Sequence, residues 1–101
     1  MAKFEARRDQ LYLDGKKVLK GWESATGWYW FATEDHGDHE YDLGDKSARG
    51  REYFGFVQGF EEEWGNWTTA EFDPLVKRGL IWEIKPRDLP YAGRRGGAYL
   101  D

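Results

Sequence analysis

The heptapeptide Gly27-Trp-Tyr-Trp-Phe-Ala-Thr33 is apolar on both faces of an extended chain. Successive side chains of a β-strand point to opposite sides of the sheet. The predicted faces are Trp28, Trp30 and Ala32 on one side, and Tyr29, Phe31 and Thr33 on the other. A strand with two apolar faces needs a cover on each side. The pattern therefore predicts a central strand, in a covered sheet or a small closed barrel.

Turn and capping signals around this strand predict the remaining elements. Asp14-Gly15 is typical of a type I′ hairpin turn, and Thr68, Pro74 and Gly79 are typical of helix ends. The predicted elements are a hairpin over 10–19, strands over 27–33, 51–59 and 80–85, and a helix over 69–78. The fold class is α+β and β-rich: a small curved antiparallel sheet or partly closed barrel of five to six strands, with one short helix.

The composition predicts a core built largely of rings. The chain holds 18 aromatic residues, whereas Ile, Leu and Val together number only 13. One aromatic side chain can bury ~150–250 Å², so a few rings replace many methyl groups. Most of the core is expected to consist of Trp28, Trp30, Phe31, Phe54, Phe56, Val57, Phe72, Leu75, Leu80, Trp82 and Ile84.

The length of 101 residues predicts one globular domain over 1–90, followed by a flexible C-terminal tail over 91–101. There is no cysteine, which excludes a disulfide framework and a thiolate metal site. No stretch approaches the ~18–20 apolar residues that a membrane helix needs. We therefore expect a cytoplasmic protein that makes no membrane contact.

Charge and aromatic residues together favour a protein partner. Residues 21–75 carry thirteen acidic and three basic side chains, and the formal net charge is −4, whereas duplex nucleic-acid binders are usually basic. A polar loop is predicted over 34–50, next to an acidic-aromatic segment over 61–67. We expect a non-enzymatic protein-binding or accessory module on this surface. Its candidate residues are Trp64, Trp67, Glu61, Glu62, Glu63 and Tyr41. In the alternative, both tryptophans simply cap the sheet.

Single-stranded nucleic-acid binding is the second hypothesis. The run Phe54-Gly-Phe-Val-Gln58 matches the centre of the aromatic RNP1 pattern of RNA-recognition motifs, although its flanking residues do not. Exposed rings on two strands would stack on bases. The candidate residues are Tyr29, Phe31, Phe54 and Phe56. Exposure of these rings on one open sheet face would favour this hypothesis, and burial would oppose it.

Metal binding and catalysis have weaker support. His36, His39 and Asp38 carry suitable ligand atoms, but they lie on one predicted loop, whereas structural metal sites usually draw ligands from separate elements. We expect no metal and no cofactor. A small hydrolase is the third hypothesis, yet no phosphate loop, nucleophile elbow or metalloprotease pattern is present, so the residues favour a protein that is not an enzyme.

Three runs of the sequence carry a resemblance. They are GWESATGWYWFATE over 21–34, YFGFVQGFEEEWG over 53–65 and WEIKPRDLPYAGRR over 82–95. Together they resemble small uncharacterised proteins encoded in prokaryotic and phage or other viral genomes. The resemblance implies an accessory or phage-encoded origin. It implies no activity, cofactor or site residue.

Overall fold

Eight strands form two antiparallel sheets in the computed structural model, which describes residues 2–42, 44 and 47–94. The smaller sheet has the order β1-β2-β3 and the larger one has the order β7-β6-β5-β4-β8. The strands are β1 (Phe4–Arg7), β2 (Gln10–Leu13), β3 (Lys16–Lys17), β4 (Lys20–Ser24), β5 (Tyr29–Asp42), β6 (Ser47–Gln58), β7 (Glu62–Thr68) and β8 (Ile81–Glu83).

The β-rich α+β fold class predicted from the sequence is confirmed. The larger sheet does not close into a barrel, because β7 and β8 remain its two edges. The predicted hairpin joins β2 to β3, and both Asp14 (φ 50°) and Gly15 (φ 80°) adopt the positive φ of a type I′ turn. No helix of the described residues is long and apolar enough to cross a membrane.

The central strand β5 is buried on both sides, as the alternation predicts. Phe31 and Ala32 are both 0% exposed, yet they belong to different clusters. Phe31 packs with Phe56 under the three-stranded sheet, where Phe4 meets both rings edge to face. Ala32 lies in the cluster on the opposite face, which holds Trp22, Tyr53, Trp67, Phe72 and Ile81.

The cover of that second face is α1 (Thr69–Lys77), the single α-helix of the described residues. It begins as predicted, because the Thr68 side chain accepts a hydrogen bond from the Ala70 N–H at 3.2 Å. Pro74 lies inside the helix, and the one buried helical residue is Phe72. Gly50 of β6 permits the close approach, since a Cβ there would lie 2.6 Å from the Ala70 backbone nitrogen. The helix is thereby fixed against β6.

The polar segment over 34–50 is largely a hairpin and not a loop. β5 runs on to Asp42 and β6 starts at Ser47, with paired residues from Glu34↔Phe54 out to Asp42↔Ser47. Two irregularities in the register interrupt this pairing, between Ala32 and Glu34 and between Asp35 and Asp38. The predicted loop was wrong here because polar composition does not exclude a strand whose faces are both solvated. We call this projection the hairpin arm (residues 34–51).

Three predicted core residues instead reach the surface. Leu75 and Leu80 are each more than a third exposed, and Trp82 is 42% exposed. The first two lie at the end of α1 and just before β8, where the helix no longer covers the sheet. Periodicity identified these residues as apolar, but it could not indicate whether another element covers them.

The start of the predicted tail is held by the buried amide of Gln58. The Gln58 Oε1 accepts from the Arg94 backbone N–H at 2.8 Å, and its Nε2 donates to the Arg94 carbonyl at 3.2 Å and to Glu62 Oε1 at 2.8 Å. Residues 89–91 form a 3₁₀ helix whose Leu89 enters the core. The rest of the predicted tail, 95–101, lies outside the described residues.

Close packing of β5 on β6 makes a testable prediction at Gly55. A Cβ at this position would collide with the Phe31 carbonyl and with the Ala32 backbone, which no side-chain rotation relieves. We expect Gly55→Ala to lower the free energy of unfolding by about 3 kcal/mol or more, at the upper end of overpacking effects. Urea unfolding followed by tryptophan fluorescence measures this.

Gly65, the residue paired with Gly55 on β7, provides the matched control. A Cβ there would meet no atom within 4 Å. Gly65→Ala should therefore change stability by less than about 1 kcal/mol, with either sign. Equal unfolding midpoints for the two variants would contradict the packing described.

Candidate functional site: an aromatic groove beside the helix

An open groove lies between α1 and the five-stranded sheet. It has a volume of about 400 Å³, and apolar side chains dominate its walls. We call it the aromatic groove and define it by Trp28, Trp30, Phe72, Leu75, Leu80 and Ile81. Glu71 is the only charged side chain among the described residues that line it. A concave, largely apolar site with a few polar groups is the usual form of a binding pocket.

The Trp28 wall is fixed by a tight turn. The Trp28 backbone N–H donates to Ser24 Oγ at 3.1 Å, the Ser24 N–H donates to the Trp28 carbonyl at 2.9 Å, and Gly27 takes a φ of 86°. The indole then lies against Gly59, where a Cβ would overlap the ring. Trp28 therefore holds one position because the turn fixes its backbone and glycine leaves room for its ring.

The opposite wall is fixed by the end of the helix. Gly79 has a φ of 73° and donates to the Val76 carbonyl at 3.0 Å, while the Leu80 N–H donates to the Leu75 carbonyl at 2.8 Å. This pair of bonds is the Schellman arrangement, which brings the apolar residues on either side of the glycine together. Leu75 and Leu80 consequently stand side by side at the mouth of the groove.

Ring contacts connect the floor of the groove to an exposed phenylalanine. Trp30 packs against Phe72 with a centroid separation of 4.8 Å, and Trp28 lies 5.9 Å from Trp30. Phe60 meets Trp28 edge to face at 5.3 Å and is 96% exposed. Single exposed apolar residues are ordinary, but a continuous row of rings at the surface is typical of an interaction site.

The residues predicted to bind a protein partner are divided by the structure. Trp67 is only 6% exposed and packs on Trp22 and Tyr53, so its ring belongs to the core. Its indole N–H has no hydrogen-bond acceptor among the described residues. Trp64 is half-buried on the other face, stacked on Phe54 with Lys16 Nζ 4.8 Å above its ring. The two predicted tryptophans therefore do not share one surface.

The three glutamates of that predicted site lie at the start of β7, an edge strand of the larger sheet. Glu61 and Glu63 are exposed, and Glu62 is half-buried beside the Gln58 amide. Tyr41 lies on the hairpin arm, where its hydroxyl donates to Glu52 Oε1 at 3.4 Å. The tyrosine and the glutamates are thus on separate parts of the larger sheet.

Burial limits which rings could stack on a nucleic-acid base. Phe31 and Phe56, two of the four predicted rings, lie beneath the three-stranded sheet and have no exposed face. Tyr29 and Phe54 are half-buried. The four rings therefore do not form an open stacking platform, since a ring without an exposed face cannot contact a base.

The hairpin arm brings His36 between two carboxylates. His36 Nε2 lies 3.0 Å from Glu34 Oε1, and its Nδ1 lies 3.3 Å from Glu52 Oε2. Hydrogen bonds from the imidazole to Glu34 and then to Glu52 raise the pKa of His36 above its ordinary value. On the opposite side, Arg51 donates to Asp35 at 2.8 Å and thereby lowers the pKa of that carboxyl group.

The candidate metal ligands are engaged in such internal contacts. His39 Nε2 contacts the His36 carbonyl at 2.9 Å, and Asp38 lies 3.5 Å from Arg51. Within residues 2–42, 44 and 47–94, no three His, Asp or Glu side chains converge as metal ligands. His36, His39 and Asp38 thus make polar contacts with neighbouring residues of the hairpin.

The sequence alone does not identify the aromatic and leucine residues of the groove as a binding site. The apolar pattern of the sequence predicts core positions for Trp28, Trp30, Leu75 and Leu80. One feature of the sequence could have indicated the site. Phe60 directly follows the predicted strand over 51–59, so the alternation of buried and exposed residues in that strand does not account for its ring. This feature does not reveal where the ring points.

No family model matches this chain, and neither a curated protein nor a solved structure does. The predicted accessory or phage-encoded origin therefore stays a prediction.

The His36 contacts predict a measurable titration. Because its folded-state pKa is raised above about 6.5, its contribution to stability is fully present below that unfolded value. It is lost as the pH rises through the folded-state pKa. NMR titration of the His36 ring protons should give a pKa above 6.5, and in Glu34→Gln/Glu52→Gln the value should fall towards it. An unchanged pKa in the double variant would contradict the contacts.

Proposed function

We propose that the protein is a non-enzymatic binding module that captures an apolar segment of another protein in the aromatic groove. The observation that carries this proposal is the nearly complete exposure of Phe60 beside the Trp28 ring. Covering a fully exposed phenylalanine contributes about 1.5–3 kcal/mol, and no described element of the chain covers it. A partner side chain that contacts Phe60 and enters the groove would provide that cover.

The charges around the groove favour a basic partner. Glu71 lines the groove, Glu61 directly follows Phe60, and Glu63 is the strand partner of Val57 beside Trp30. A lysine or arginine next to the inserted side chain would meet these carboxylates at the rim, where opposite charges raise the association rate and select among partners. We therefore propose an apolar or aromatic side chain on a basic segment as the ligand.

The groove is suited to binding because its walls are already ordered. The turn that holds Trp28 and the helix end that holds Leu75 and Leu80 are both closed by backbone hydrogen bonds. A side chain that enters loses its own freedom but does not have to order the walls, and such preorganisation increases affinity.

Single-stranded nucleic acid remains the alternative because of one local feature. Lys16 Nζ lies 4.8 Å above the Trp64 ring and 6.0 Å from Phe54, on the face away from the groove. A cation beside two stacked rings is a small version of the surface that binds single strands. Because Phe31 and Phe56 are buried, this patch offers only two rings, Phe54 and Trp64, among the described residues. The aromatic groove together with Phe60 offers the larger apolar surface, which favours the protein-binding proposal.

Substitutions that remove the ring of Phe60 or of Trp28 should weaken peptide binding, whereas removal of the Trp82 ring should not. The probe is a blocked peptide, Lys-Leu-Trp-Leu-Lys, added during amide and indole NMR titration. Phe60→Ser should raise its Kd about tenfold or more, because covering phenylalanine contributes at least ~1.4 kcal/mol. The same variant should leave the unfolding midpoint nearly unchanged, since Phe60 is 96% exposed. Trp28→Ala should weaken binding as well.

Trp82→Ala is the matched control, since this tryptophan is 42% exposed but does not line the groove. Its peptide Kd should stay within about twofold of the original protein. Equal losses for Trp82→Ala and Trp28→Ala would contradict binding in the groove. Salt-sensitive shifts at Phe54 and Trp64 with oligothymidylate, and none with peptide, would favour the nucleic-acid alternative instead.

A further inference from the structure

The outer edge of β7 is free of any other described strand. β7 ends the larger sheet, and seven consecutive residue pairs join its inner edge to β6, from Glu52↔Thr68 to Gln58↔Glu62. The pairing with β6 is continuous, in contrast to the interrupted pairing of β5 with β6. Its seven residues present an edge about 23 Å long, on which alternate residues direct N–H and C=O groups outwards.

The side chains of β7 divide its edge into two different faces. Trp64 packs with Phe56 on the side of the three-stranded sheet, so Glu62 and Asn66 share that side. Trp67 belongs to the cluster beneath α1, so Glu63 and Gly65 share the helix side. An added strand would consequently place its own alternate side chains beside Glu63 and Gly65.

Gly65 leaves open space on the helix side of this edge. A Cβ there would meet no atom within 4 Å. The chain shows at Gly59 how such a glycine is covered, because the Trp28 ring lies directly on it. A large ring from a neighbouring strand can shield an edge glycine in the same way. Gly65 therefore fits an aromatic side chain on the strand that pairs with β7.

The charge of the β7 edge determines which kind of added strand could pair with it. Glu61, Glu62 and Glu63 stand at the start of the edge, and no described cation lies within ion-pair distance of them. Acidic side chains on an edge repel other acidic strands, a second copy of this chain included, because like charges on neighbouring strands are destabilising. A basic strand would replace that repulsion by attraction.

We infer that β7 binds an extended basic segment of a partner protein by strand addition, with an aromatic side chain of that segment covering Gly65. The inference rests on the proposed function, since it assigns a second surface and a backbone-pairing mode to the same protein-binding module. Backbone hydrogen bonds would provide general affinity, whereas Glu63 and Gly65 would select a cation and a ring at neighbouring positions on one face.

The test uses a blocked octapeptide, Lys-Val-Lys-Val-Trp-Val-Lys-Val, whose lysines and tryptophan fall on one face when it is extended. Strand addition should slow hydrogen exchange at least tenfold at alternate amides of β7, which addition to the aromatic groove alone would not do. A version that is N-methylated at every internal residue keeps the charge and the ring but lacks those backbone donors in either register. It should give no protection of β7.

Charge reversal on the edge provides the variant arm of the test. Glu61→Lys/Glu63→Lys should raise the Kd of the octapeptide for β7, read from the protection of the β7 amides, at least tenfold. Glu40→Lys/Asp42→Lys makes the same change in net charge at exposed positions of the hairpin arm, and it should change the Kd less than twofold. Both pairs are exposed, so both variants should fold.

Three results would overturn the inference. Equal weakening by the two charge reversals would mean attraction by net charge alone. Peptide shifts confined to Trp28, Trp30 and Phe60, with β7 unprotected, would remove the edge site but leave the proposed function standing. Protection of β7 in the free protein that grows with concentration, together with a dimer in sedimentation, would assign the edge to a second copy of the chain.

Discussion

Burial of β5 on both sides is the constraint from which the rest of the architecture follows. Phe31 and Ala32 are neighbours in sequence, point in opposite directions and are both fully buried, so each face of the larger sheet needs a cover. The covers are unequal. A nine-residue helix is about 13 Å long and about 10 Å wide, whereas five strands span about 19 Å. One such helix cannot shield the whole face that Ala32 occupies, and the aromatic groove lies in the part that α1 leaves open.

Aromatic side chains form much of the groove that α1 leaves uncovered. A ring is rigid and flat, and in this part of the structure rings pack against other rings and against backbone that carries no Cβ. Trp28 illustrates both cases, because it contacts Trp30 and Phe60 and lies on Gly59. The aliphatic side chains of Leu75, Leu80 and Ile81 complete the walls, and the space between them and the rings is a groove that a second molecule can enter.

Local signals predicted much of the fold, because the hairpin turn at Asp14-Gly15 and the helix between Thr68 and Gly79 depend on residues adjacent in sequence. The alternation over residues 28–33 likewise predicted a strand buried on both sides. The hairpin arm could not be predicted in this way, since its paired backbone carries no apolar face. The candidate groove was missed for a related reason: Leu75 and Leu80 satisfy the same apolar pattern whether a cover exists or not. Coverage depends on the relative size of elements, which periodicity does not contain.

Charge and apolar surface act at different stages of the binding proposed here. The carboxylates at Glu61, Glu63 and Glu71 act over roughly one Debye length, about 8 Å at physiological salt, so they affect how a basic partner approaches. They contribute little to how long it stays, because exposed ion pairs are weak. Residence depends on the area of ring surface removed from water at Trp28, Trp30 and Phe60. Val57 on β6 pairs with Trp30 on one side and with Glu63 on the other. Adjacent strands are ~4.8 Å apart, so the backbones of Trp30 and Glu63 lie about 10 Å from each other. A single extended segment is long enough to contact both, and one partner could therefore occupy the groove and the strand edge together.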